Sequence, residues 1–139
     1  MKKNLKIWIA LVVLVLLIAI AAIVVHYQRI DERSAKLILV QYFVAWQKGD
    51  PEQMYKFLSA DEQAVLSKSA YIKQYDELPV QLAGYVVNDI HISGKTAQAK
   101  VILSWPELEL DSAEDKAETF ILRKEKNIWK IREQDSLAD

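Results

Sequence analysis

The chain has 139 residues, 52% of them apolar and 27% charged, with a formal net charge of −1 and no cysteine. Lys2, Lys3, Lys6 and Arg29 are the only charged residues before position 30, so all 19 acidic residues lie in 30–139 and make that part net acidic. This argues against nucleic acid as its partner, since phosphate binding needs positive charge. The missing cysteine excludes disulfides, thiolate metal sites and a lipid-modified anchor.

From Ile7 to Val25 no side chain is charged or strongly polar, close to the roughly 20 residues that cross a hydrocarbon core. A buried core helix of that length would need a polar stripe, and this run has none. It is also longer than the roughly 7–15-residue core of a signal peptide, and its small residues Ala19, Ala21 and Ala22 are followed by more hydrocarbon. The expectation is a permanent anchor, with Leu14 and Leu17 inside the bilayer and Trp8 and Tyr27 at its two interfaces. Lys2, Lys3 and Lys6 precede the span, whereas Arg29 and Arg33 are offset by Asp31 and Glu32, which predicts a cytoplasmic N-terminus. The organisation read from this is a cytoplasmic N-terminus and anchor over 1–29 and one extracytoplasmic domain over 30–139. No Gly or Pro occurs before Gly49, so span and first domain helix are expected to run together from about Ile7 to Lys48, roughly 60 Å at ~1.5 Å per residue.

In the domain, Ala35, Ile38, Leu39, Tyr42, Phe43 and Trp46 recur at helical spacing, opposite Arg33, Lys36, Gln41 and Lys48. Gly49 is the expected left-handed cap. Asp50-Pro51 restarts a helix, with Gln53 placed to close a capping box and Met54, Phe57 and Leu58 buried. Ser59 with Glu62 repeats that spacing before Ala64, Val65 and Leu66. Ser69 is expected to open a last helix holding Tyr71, Ile72 and Tyr75, and Pro79 to close the helical half. The period then becomes two: a strand over Gly84–Ser93, a turn at Gly94-Lys95, and a second strand with Ala97, Ala99, Val101, Leu103 and Trp105 on its buried face. An acidic stretch from Glu107 to Glu118 follows, then a hairpin of Thr119–Glu125 and Ile128–Arg132 about Lys126-Asn127. Helices followed by an antiparallel sheet define the α+β class.

The segment Tyr42-Phe43-Val44-Ala45-Trp46-Gln47-Lys48-Gly49-Asp50, with Met54-Tyr55, Leu58-Ser59, Tyr71-Ile72-Lys73-Gln74-Tyr75 and the closing Trp129-Lys130-Ile131 and Ser136-Leu137, resembles the nuclear transport factor 2-like domain. It is most similar to the N-terminal, non-catalytic domain of that type in penicillin-binding transpeptidases of Gram-positive bacteria. The signature residues are Trp46, Gly49, Asp50, Tyr75, Trp105 and Trp129. The resemblance implies a cone of helices on a curved sheet, and envelope or cell-wall synthesis proteins as partners. The transpeptidases continue into a catalytic domain, but no Ser-x-x-Lys motif occurs here, and Lys95-Thr96-Ala97 lacks the glycine of Lys-Thr-Gly. No transpeptidase activity and no cofactor are expected.

Some enzymes of this fold use an Asp or His inside the cone, and Asp89 and His91 share one face of a strand. In the competing reading, Val86, Ile90 and Ile92 occupy the buried face and turn both to solvent. Two histidines give a transition metal few ligands. Glu107, Glu109, Asp111, Glu114, Asp115 and Glu118 read as a solvated acidic loop, since the glycine and spacing of a calcium loop are missing. Trp46, Trp105, Trp129 and Phe120 or Ile121 are expected to converge and fill the cone. Two functions stay open: a non-catalytic binding or scaffold module outside the membrane, and a small-ligand binder or pocket enzyme using Asp89 and His91.

Overall fold

The computed structural model describes residues 2–78, 81–106 and 116–132. Pro79, the acidic residues Glu107 to Asp115, and Ser136-Leu137 lie outside them. The chain forms two units, 1–31 and 32–139. In the first, the helix α1 (Lys2–Gln47) begins, and its large apolar side chains from Ile7 to Val25 are exposed along their whole length. By length and composition this stretch can cross a membrane. Residues 26–34 are helical throughout.

In the second unit the remainder of α1 buries Ala35, Leu39, Tyr42 and Phe43 and half-buries Ile38 and Trp46. Its end is a Schellman cap. Gly49 N–H donates to Trp46 C=O at 3.0 Å and Asp50 N–H to Ala45 C=O at 2.9 Å, with Gly49 at φ +68°. A Cβ there would meet Gln81 Nε2 at 3.2 Å. Gly49→Ala is therefore expected to destabilise the fold by about 1–2 kcal/mol, readable as a lower denaturation midpoint.

Three short helices follow, each opened by a side-chain cap: α2 (Pro51–Phe57) by Asp50, α3 (Ala60–Val65) by Ser59 and α4 (Lys68–Asp76) by Ser67. The last corrects Ser69, which lies inside α4 with its hydroxyl 3.2 Å from that of Ser67. Neither expected capping box closes reciprocally. The Asp50 N–H is taken by the Schellman cap, and the Gln53 side chain instead accepts from Lys56 Nζ at 3.0 Å. The Ser59 N–H donates to Ile131 C=O at 2.7 Å, beside a parallel bridge between Leu58 and Ile131, and so ties the helical half to the last strand. Val65, placed in an apolar run by the sequence, is 88% exposed.

The strands β1 (Gly84–Ser93), β2 (Thr96–Ser104), β3 (Lys116–Glu125) and β4 (Ile128–Arg132) form an antiparallel meander in the order 1-2-3-4. Gly94 at φ +60° makes the first turn, and Lys126 and Asn127, both at positive φ, make the last. The inner face of β2 is Ala97, Ala99, Val101 and Leu103, all essentially buried, and Trp105 lies just past the strand. Two expectations fail here. β3 starts at Lys116, so Glu118 is a strand residue paired with Val101 and not part of a loop. In β1 the register shifts between Val87 and Asp89. The extra residue, Asn88, reverses the inward–outward alternation. Tyr85 and Val87 face the core before it and Ile90 and Ile92 after it, while Val86 is 54% exposed and not on the buried face.

Candidate functional site

The largest rings of the domain meet above the sheet. Phe43 stacks on Tyr85 at 4.9 Å between centroids and meets Phe120 edge-on at 5.1 Å, and Trp46 meets Trp105 edge-on at 5.7 Å. Phe120, not Ile121, is the inward residue, and Trp129 is buried in the same core with Lys124 Nζ 5.4 Å from its ring centre. The aromatic side chains do converge, but they do not fill the interior completely.

A cleft of about 150 Å³ remains among α1, α2 and α4, lined by Tyr42, Trp46, Met54, Tyr71, Gln74, Tyr75 and Leu78. Its walls follow from helical spacing. Tyr42 and Trp46 are one turn apart on α1, and Tyr71, Gln74, Tyr75 and Leu78 recur at three and four along α4 and the residues after it. The rings are held by their own hydroxyls. Those of Tyr42 and Tyr71 share a hydrogen bond of 3.2 Å, and the Tyr75 hydroxyl donates to Trp46 C=O at 2.9 Å. Burial, aided by the negative charge of Asp76, raises the Tyr75 pKa above its usual value. Tyr75 thus stays a protonated donor at neutral pH. Behind this wall Tyr55 lies 5.6 Å from Tyr71 and donates to Leu66 C=O at 2.8 Å. The Trp46 indole N–H is buried without a hydrogen-bond partner among the described residues.

The cleft offers aromatic surface, one thioether and one amide. Its ionisable groups are the phenols of Tyr42, Tyr71 and Tyr75, and no carboxylate, imidazole or lysine is among its lining residues. At about 150 Å³ it is below the roughly 300–1,000 Å³ of pockets that enclose drug-sized ligands, and matches a cavity that takes one benzene-sized group.

Asp89 and His91 lie elsewhere. Both are exposed on the outer face of β1, in register with Lys100 and Gln98, and neither lines the cleft. Asp89→Ala and His91→Ala are each expected to change stability by less than about 0.5 kcal/mol, which a pair of denaturation curves would show. Of the signature residues, Trp46 and Tyr75 form the cleft, Trp105 supports Trp46 from behind, and Gly49 and Asp50 shape the chain below it. Met54, Tyr71, Gln74 and Leu78 were not anticipated as site residues. Met54 and Tyr71 are buried and Gln74 and Leu78 exposed, and helical spacing alone does not mark the unfilled gap between them. No group of three or more metal-ligating residues occurs among the described residues.

No protein-family model matches the chain, and no curated protein matches it significantly. Solved structures do. A nuclear transport factor 2-like protein of unknown function from Shewanella oneidensis is 17% identical, with a TM-score of 0.55 over 73% of this chain and 93% of that one. A SEC-C motif containing protein from Psychrobacter arcticus is 19% identical, with a TM-score of 0.55 over 73% of this chain and 60% of that one. Another from Rhodopseudomonas palustris is 12% identical, with a TM-score of 0.53 over 66% of this chain and 69% of that one. At these identities the likeness defines the fold alone, which is nuclear transport factor 2-like and of the α+β class.

Proposed function

We propose that this chain is a non-catalytic binding module, anchored in the membrane by the first part of α1 and holding its domain on the outer side, where it engages envelope or cell-wall synthesis proteins. The observation that carries the reading is the cleft: an aromatic recess with no carboxylate, imidazole or lysine in its lining, sized for one side chain of a partner. The resemblance to the N-terminal domain of penicillin-binding transpeptidases supports the choice of partner class. The exposed apolar run of α1 supports the anchor, because such a surface is stable only against lipid or protein. The lysines at its N-terminal flank support the outward topology.

A photo-reactive residue at Gln74, on the cleft wall, tests the proposal in living cells. Cross-linking is expected to trap one discrete envelope protein, and Tyr71→Ala should abolish the adduct. Repeated recovery of no protein adduct would overturn it. The same result with quenching of tryptophan fluorescence by a small aromatic solute would favour a second reading, in which the unpartnered Trp46 N–H and the ring-sized cleft hold a free small ligand.

A further inference from the structure

The open edge of the sheet carries its charges in an order that suits one partner. β1 pairs with β2 on one side and, among the described residues, with no strand on the other. The turn between β1 and β2 has two central residues, so its flanking pair, Ser93 and Thr96, exchanges both backbone hydrogen bonds. Bonded and non-bonded pairs alternate from there. His91 and Asp89 thus turn their backbone groups toward β2, and Ile90 and Ile92 present theirs to the open edge. The bulge at Asn88 interrupts the edge, leaving the regular segment 89–93 able to receive a strand. On it, Asp89 and His91 project from the exposed face, while Ile90 and Ile92 pack against the core.

We propose that β1 pairs antiparallel with β1 of a second copy of this chain, about a two-fold axis at Ile90. In that register the outward N–H and C=O of Ile90 meet those of its counterpart as a hydrogen-bonded pair. Asp89 of each copy then faces His91 of the other in a non-bonded pair, with Cβ atoms about 4.5–5.5 Å apart. An imidazole N–H donates to a carboxylate twice, once on each side of the axis. Neighbouring registers are worse. An axis at Asp89 opposes two carboxylates, one at His91 opposes two imidazoles, and one at Ile92 faces His91 with Ser93 and sets Asp89 opposite Lys95, which lies past the end of β1 in the turn, where the ladder no longer holds the pair. Lys100, beside Asp89 on β2, adds a cation to the carboxylate's surroundings without occupying the edge. The inference rests on β1 alone and is independent of the role assigned to the cleft.

The cysteine-free sequence allows a register test on the full chain. Differently tagged Asp89→Cys and His91→Cys chains are co-expressed and mildly oxidised in membranes. Each such mixed pair keeps one native Asp89–His91 contact, and its two cysteines sit at a spacing that a disulfide bridges. The mixed disulfide is expected to exceed either homodisulfide by about tenfold, whereas a Lys73→Cys control on α4 gives the collisional background. A mixed yield no higher than that background, or a dominant Asp89→Cys homodisulfide, would overturn the proposal. In detergent, Asp89→Lys should weaken self-association by about two- to thirtyfold, the scale of two lost cross-strand pairs, and the exchange Asp89→His with His91→Asp should restore it. Equal sedimentation of all three chains would contradict the pairing.

Discussion

Trp129→Ala is expected to lower the unfolding free energy of the domain by about 3–5 kcal/mol, the range for deleting a large buried ring. Trp129 is 2% exposed on the inner face of β4, next to the tie between Leu58, Ser59 and Ile131 that joins helices to sheet. Removing it opens a cavity where the two halves meet. Its indole N–H is buried without a partner among the described residues, so Trp129→Phe, which retains most of the volume and removes that unpaired donor, should cost clearly less than the alanine variant. Urea unfolding of the full chain in detergent, followed by near-ultraviolet circular dichroism, separates the two. A loss below about 1 kcal/mol for Trp129→Ala would mean that the ring does not support the core.

Phe43→Ala should cost a similar amount, about 3–5 kcal/mol, for a different reason. Phe43 is fully buried and touches four other rings: Tyr42, Trp46, Tyr85 and Phe120. Through it α1 is fixed over the sheet, and several edge-to-face and stacked pairs are lost at once. Trp46→Ala should cost less than either. Trp46 is only half-buried and already borders the open cleft, so its removal enlarges an existing space. The same unfolding assay ranks the three variants, and a Trp46→Ala loss larger than that of Phe43→Ala would contradict this account of the core.

What was legible in the sequence was local. Gly49, Asp50 and Ser59 announce caps because each acts on backbone groups within a few residues, and the structure places all three at helix ends. The alternation of β2 is equally plain, since one face is wholly apolar and the other is not. The phase of β1 was not legible. Val86-Val87-Asn88 fits either face, and only pairing with β2 determines that Asn88 bulges and Val86 turns outward. The start of β3 was hidden because Glu118 reads as loop, until Val101 lies opposite it. Ser67 and Ser69 are both good caps, and local chemistry does not rank them. The cleft was hidden for a further reason. Helical spacing puts Tyr71 and Tyr75 on one face, but whether two facing helices close against each other depends on side-chain volumes from distant parts of the chain.

The central claim is that the apolar part of α1 anchors the chain with its domain outside. Single cysteines in this cysteine-free chain test it most directly. Asn4→Cys and Ser69→Cys variants are exposed to a membrane-impermeant maleimide, on intact cells and after lysis. The account predicts that the chain stays in the membrane pellet after an alkaline wash, that Ser69→Cys labels on intact cells, and that Asn4→Cys labels only once the membrane is broken. Labelling of Asn4→Cys alone on intact cells, or recovery of the whole chain in the soluble fraction, would contradict it.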